Sequence, residues 1–188
     1  MKQNIGLYSK IDDDVKLFYK SNDDKKNLKP TLIGYNCIIR SGTVIYCDVI
    51  IGDDFQSGHN VLIRESTRIG NRVLVGTSTI IDGGCDIGDD TKIQSGVYIP
   101  TGTCIGSNVF IGPKTTFTND MYPPLRRGYL DPVYVGDNVV IGANVTILPG
   151  VIIGNGSFIA AGSLVTKHVP ENMMAIGSPA RFKNLPEL

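Results

Sequence analysis

A step of six residues runs through most of this chain and restricts its fold more than any other feature. From Ile33 the step visits Ile39, Ile45, Ile51, Ser57, Ile63, Ile69, Val75, Ile81, Ile87, Ile93, Ile99, Ile105, Ile111 and Phe117. It resumes at Val135 and runs through Ile141, Ile147, Ile153, Ile159 and Val165. Of the 23 positions from 33 to 165, 19 are Ile or Val, where chance would place about six. The exceptions are Ser57, Phe117, Pro123 and Tyr129. A second column lies four residues after each aliphatic position and is nearly always small or β-branched, as at Thr43, Val49, Thr67, Val73, Thr79, Cys85 and Thr91. Glycine follows the aliphatic residue at Gly34, Gly52, Gly70, Gly88 and Gly106, which are three hexads apart.

One hexad is a short strand plus a turn, and one aliphatic side chain cannot make a core. Three hexads that close a triangular coil bring three such side chains to one axis. Stacked coils then pair their backbones as parallel strands about 4.8 Å apart. Glycine is expected to serve turns that need positive φ. The pattern predicts an all-β chain, a parallel β-helix with three faces and eighteen residues per coil. Ile5, Ile11 and Leu17 keep the step, and Gly6 follows Ile5, so the N-terminus reads as an imperfect first coil. A capping hairpin or a disordered tail is the alternative there. Twenty-four hexads give eight coils.

The expected organisation is one domain over 1–188. It comprises a first coil and polar loop (1–30), regular coils (31–117), an excursion loop (118–134), last coils (135–166) and a C-terminal cap (167–188). Lys plus Arg and Asp plus Glu are 18 each, so the chain lacks the basic excess of a nucleic-acid binder. An anionic membrane surface is a poor partner for the same reason. No apolar run is long enough to span a bilayer, and the start MKQNIGLYSKIDDDVK lacks a signal-peptide core, so the cytoplasm is the expected location. Cys37, Cys47, Cys85 and Cys104 show no zinc spacing and are expected to be reduced thiols. No metal is expected.

The excursion TNDMYPPLRRGYLDPVY holds Pro123, Pro124 and Pro132, which preclude a central strand, and a loop of this length in a compact stack points to function. Arg126 and Arg127 within it suit a diphosphate. After Val165 the repeat ends. Ser178 and Pro179 suit an N-cap and first helical position, so a short C-terminal helix is predicted from ARFKNL.

Over about 33–188 the repeat resembles the hexapeptide-repeat acyltransferase superfamily. That resemblance implies a left-handed coil and a homotrimer. Periodicity shows neither, and the usual crossover rule favours the other hand. AAGSLVTKHVP followed by GSPAR is similar to the superfamily's C-terminal signature. By resemblance this region borders coenzyme A, with backbone or hydroxyl contacts from Ala161 and Thr166 and positive charge from Lys167 and Arg181. Sugar O-acetyltransferases of the superfamily carry a catalytic His in the loop after the Gly-Pro hexad. Here the loop has none and reads Thr118, Asn119, Asp120. The run VFIGPKTTFTNDMYPP resembles the branch that acylates amines on nucleotide-linked deoxysugars.

An amine beside electron-withdrawing oxygens has a pKa of about 8 and needs positioning more than deprotonation. Asp120, with the Asn119 amide, would orient it and accept its proton. By resemblance, the oxyanion donor is the backbone N–H of Ala143. Asn119 and Asp120 are also ordinary turn formers before prolines. His59 stands beside the irregular Ser57 and, in the eighteen-residue register, beneath Thr77, Ser95 and Pro113. His59, Arg64 and Ser95 are candidates for a nucleotide-sugar groove or, equally, for a polar ladder at a trimer interface. Tyr98 is a candidate sugar contact.

Three other readings compete. An O-acyltransferase would use His59 as base. A γ-class carbonic anhydrase needs three His for zinc, and this chain has only His59 and His168. A non-catalytic β-helical module would lack a use for the loop and the coenzyme-like tail. Sites between the subunits of a trimer are expected, because one narrow face makes only a shallow cleft.

Overall fold

A computed structural model describes residues 4–20, 29–123 and 130–185. Strands of mostly two residues alternate with turns and gather into three sheets, here faces A, B and C. Face A runs from Asn4–Ile5 to Ile152–Ile153, face B from Lys10–Ile11 to Phe158–Ile159, and face C from Lys16–Tyr19 to Leu164–Val165. Each face takes one parallel strand from each of eight coils, and the coil is a left-handed β-helix. Registers such as Ile69 with Ile87 and Val75 with Ile93 confirm the eighteen-residue coil. No helix among the described residues is long and apolar enough to cross a membrane.

The bend at each corner has a specific local cause. Every sixth residue from Asn36 to Lys114 has positive φ. Most are Asn, Asp or Gly, which tolerate the left-handed region. The glycines that follow the aliphatic column are not these residues, which corrects the expected role. Gly52 has an ordinary φ, and a Cβ there would lie 2.7 Å from the carbonyl carbon of Gly70 in the next coil. These glycines allow close stacking, and the positive φ falls two residues later.

Ile69, Ile87 and Ile105 line face A and are 3%, 4% and 4% exposed. The matching columns on faces B and C are fully buried over most of their length. Two exceptions to the aliphatic step still point inward. Phe117 is fully buried and pairs with Ile147. Ser57 is buried too, and its Oγ accepts the Arg40 amide at 2.9 Å. Phe55, two residues before Ser57, is fully buried. Ser57 itself therefore belongs to the core, while His59 two residues on is exposed.

Both interruptions leave from the corner between faces C and A. Ile5 pairs with Ile33 and Ile105 with Val135, wider spacings than eighteen. The second excursion is pinched at its base, where the Asp131 amide donates to the Asn119 carbonyl at 2.8 Å.

The predicted C-terminal helix is not present. Met173–Gly177 pairs in parallel with Phe158–Ile159 and antiparallel with Ala180–Asn184. Ser178 and Pro179, joined by a cis bond, form the tight turn between Gly177 and Ala180. The physical reason is edge satisfaction. Phe158–Ile159 ends face B, and its unpaired backbone groups favour added strands over a helix that would leave them bare.

Candidate active site

Face C is bounded by two corners of different character. On the corner from B to C the residues His59, Thr77, Ser95, Pro113, Ala143 and Ala161 form one row. Backbone bonds fix their order: Ser78 to His59 (2.8 Å), Gly96 to Thr77 (2.9 Å), Lys114 to Ser95 (3.0 Å), Asn144 to Pro113 (2.9 Å) and Gly162 to Ala143 (2.8 Å). His59 and Ser95 are exposed, and the His59 amide donates to Thr77 Oγ1 at 3.3 Å. His59 lies four coil steps from Ala143, about 19 Å at ordinary strand spacing.

Above His59, the amides of this row differ from their counterparts on the corner from A to B. There, Tyr35, Asp53, Asn71 and Asp137 each donate an N–H to an Asp or Asn side chain of the next coil, at 2.8–2.9 Å. At the Ala143 row the next side chain is the methyl of Ala161. The Ala143 N–H takes no acceptor among the described residues. An unpartnered N–H at a half-buried corner can stabilise an oxyanion.

The corner from C to A carries a charged chain of side chains. Arg64 donates twice to Glu65, at 2.8 and 3.2 Å, and lies 4.0 Å from Asp82 Oδ1. Its guanidinium also stands 5.5 Å from the centre of the Tyr46 ring, which packs on Tyr19. Tyr98 donates its hydroxyl proton to Asp82 Oδ2 at 2.7 Å. Burial first, and then Asp82, push the Tyr98 hydroxyl up to about 12. The hydrogen bonds from Arg64 to Glu65 hold the guanidinium more firmly protonated. Arg64 and Tyr98 thus belong together, whereas His59 and Ser95 lie on the opposite corner of the face.

One coil above Tyr98 the chain leaves the helix. The strand Tyr98–Ile99 pairs with Thr116–Phe117, and the Asn119 Nδ2 donates to the Thr101 carbonyl at 3.1 Å. Asp120 Oδ1 accepts the Tyr122 amide at 2.9 Å, an Asx turn before the prolines. Its second oxygen takes no hydrogen bond among the described residues. Both side chains are half-buried. Arg126 and Arg127 lie outside the described residues.

At the other end, Ala161 stacks on Ala143, and Lys167 and Arg181 are exposed with no ion pair among the described residues. Thr166 is half-buried. His168 accepts the Ile152 amide on Nδ1 at 3.0 Å and so serves the edge of face A. No group of three or more His, Cys, Asp or Glu among the described residues is arranged to hold a metal. Sequence reasoning passed over Asp82, Tyr46 and Asp131. The register offered a signal for Asp82, which lies eighteen residues after Arg64.

The family model for bacterial transferase hexapeptide (six repeats) matches residues 66–101, 84–119 and 132–167. No curated protein matches the chain. Among solved structures, a hexapeptide-repeat-containing acetyltransferase from Vibrio cholerae, complexed with acetyl coenzyme A, is 33% identical. The match covers 62% of this chain and 69% of that one, with a TM-score of 0.55. A maltose O-acetyltransferase from Clostridium difficile is 31% identical over 62% of this chain and 67% of its own, with a TM-score of 0.54. A UDP-N-acetylglucosamine acyltransferase from Campylobacter jejuni is 17% identical over 93% and 74%, with a TM-score of 0.55, and shares the fold.

Proposed function

The chain belongs to the hexapeptide-repeat acetyltransferases, and from that premise we propose that it transfers an acetyl group from acetyl-coenzyme A to the amine of a nucleotide-linked amino-deoxysugar. The observation that carries this reading is the base of the loop. No histidine occurs in 118–134, and the residues where the chain leaves the coil are Asn119 and Asp120, the latter with one carboxylate oxygen uncommitted. A carboxylate without a strong base suits an amine of pKa about 8 better than a hydroxyl.

In this reading the amine nitrogen adds to the thioester carbonyl carbon. The oxyanion that forms is met by the open N–H of Ala143, which on one chain lies at the corner of face C opposite Asp120, so the two groups come from neighbouring subunits. Its collapse breaks the C–S bond. Asp120 takes a proton from the new ammonium, and the departing thiolate gains it. Asn119 orients the amine. Lys167 and Arg181 meet the coenzyme's phosphates, with Ala161 and Thr166 contributing backbone and hydroxyl contacts, while Arg126 and Arg127 face the acceptor's diphosphate. The enzyme works as a homotrimer, since one flat face cannot enclose two substrates. The cytoplasm, where acetyl-coenzyme A and sugar nucleotides meet, is the location this reading requires.

Likeness to a maltose O-acetyltransferase favours a second reading, hydroxyl acetylation with His59 as base. Within one chain His59 stands about 19 Å from Ala143, so that mechanism needs His59 from a neighbouring subunit. The test is thiol release from acetyl-coenzyme A with dTDP- and UDP-amino sugars over pH 6–9. Asp120→Asn is expected to lower turnover about 10–100-fold, and His59→Ala to act chiefly on acceptor KM. Abolished turnover in His59→Ala with near-normal Asp120→Asn would favour the second reading. Acetylation of hydroxyl acceptors alone would end the first.

A further inference from the structure

Arg64, Glu65, Asp82 and Tyr98 form one connected chain, and chemistry fixes the direction of each of its hydrogen bonds. A guanidinium only donates, an ionised carboxylate only accepts, and a phenol has one proton. Tyr98 gives that proton to Asp82 Oδ2. With its hydroxyl pushed up to about 12, Tyr98 keeps the proton throughout the physiological range. Tyr98 is 37% exposed, and with its one proton committed to Asp82 its hydroxyl has only lone pairs left to offer a ligand. Tyr98 lies one strand beneath Thr116, from which the loop departs, a separation of about 4.8 Å and roughly the breadth of one sugar ring.

We propose that Tyr98 reads a hydrogen-bond donor on the acceptor sugar, a ring hydroxyl near the reacting group, and that Asp82 is the positioning residue that keeps Tyr98 in its accepting state. The inference rests on the reading of a sugar acceptor at the loop and sharpens it. The site discriminates by hydrogen-bond polarity. A ring that lacks the hydroxyl leaves the Tyr98 lone pair without a donor, and one that presents an acceptor in its place sets a lone pair against a lone pair.

The test uses dTDP-3-amino-3,6-dideoxyglucose, dTDP-4-amino-4,6-dideoxyglucose and maltose as acceptors, with acetyl-coenzyme A, on the full chain. For whichever is acetylated, Tyr98→Phe is expected to raise acceptor KM about tenfold, with kcat and coenzyme KM within about twofold. Asp82→Asn can donate to the phenol oxygen and turn its proton outward, so it is expected to match Tyr98→Phe at unchanged Tm. The double variant should be no worse than either single one, since Asp82 acts through Tyr98. Acceptor KM within about twofold of the parent in both single variants overturns the proposal, and multiplied effects in the double variant overturn the positioning role. Acetylation of maltose alone sinks the amine reading while the Tyr98 comparison still stands or falls on maltose KM. Acetylation of none of the three overturns both.

Discussion

At the scale of single residues, position along the hexad decides what each side chain costs to change. Ile87 is 4% exposed and stacks between Ile69 and Ile105. Ile87→Ala should cost about 2–5 kcal/mol through lost transfer energy and a cavity, read from urea unfolding. A loss below about 0.5 kcal/mol would contradict the stacked column. Cys85 occupies the neighbouring column, with its thiol near the carbonyls of Asp82 (3.0 Å) and Pro100 (3.3 Å). Burial pushes this thiol from its ordinary 9.0 up to about 12. The unfolded chain therefore loses the proton first. Between about pH 9 and 12 the native state holds more protons, so the thiol's contribution is full below pH 9 and fades as pH rises through that window. Thr103, one coil above, already donates to Pro100 from the equivalent position, so Cys85→Thr fits the column. It should flatten the fall in urea midpoint between pH 9 and 10.5. Equal slopes in parent and variant would count against this account.

At the scale of elements, the strands were legible and their ends were not. The step of six marked the inward residue of every described strand from Leu32–Ile33 to Leu164–Val165, because one buried side chain per hexad is the only apolar requirement a two-residue strand has. The cap was misread for a physical reason. Ser178-Pro179 carries a helix-start signal locally, but the open edge of Phe158–Ile159 is a tertiary demand that no local pattern reports. The corner glycines were similarly ambiguous, since close approach and positive φ favour the same residue. Within the candidate site, Asn119 and Asp120 stood out by type, whereas Asp82 is one more acidic turn residue until its side chain is seen between Arg64 and Tyr98. The C-terminal element carries its own prediction. If Lys167 and Arg181 meet coenzyme phosphates, the double alanine variant should raise acetyl-coenzyme A KM about tenfold with turnover little changed. Unaltered coenzyme affinity would move the site elsewhere.

At the scale of the whole molecule, the chain is a narrow prism with exposed apolar residues along its faces, among them Ile50, Ile80, Phe110, Val140 and Ile152. Static light scattering should give three times the chain mass of 20.3 kDa, and a monomer that turned over substrate would refute sites shared between subunits. The three-sided coil has a further consequence for how such a molecule can change length. Eighteen residues are a unit of height, and six are a unit of rotation. Excising residues 38–55 removes one storey and should leave a folded chain about 4.8 Å shorter, with Tyr98 still below Thr116. Excising only residues 38–43 removes Ile39 but keeps the step of six, with Ile45 then six places after Ile33, yet turns the first coil by a third of a revolution relative to everything above it. The core is blind to that turn and the outer surface is not. The prism therefore behaves as an indexing screw. Small insertions steer which edge a feature occupies, and only multiples of eighteen leave the edges in line.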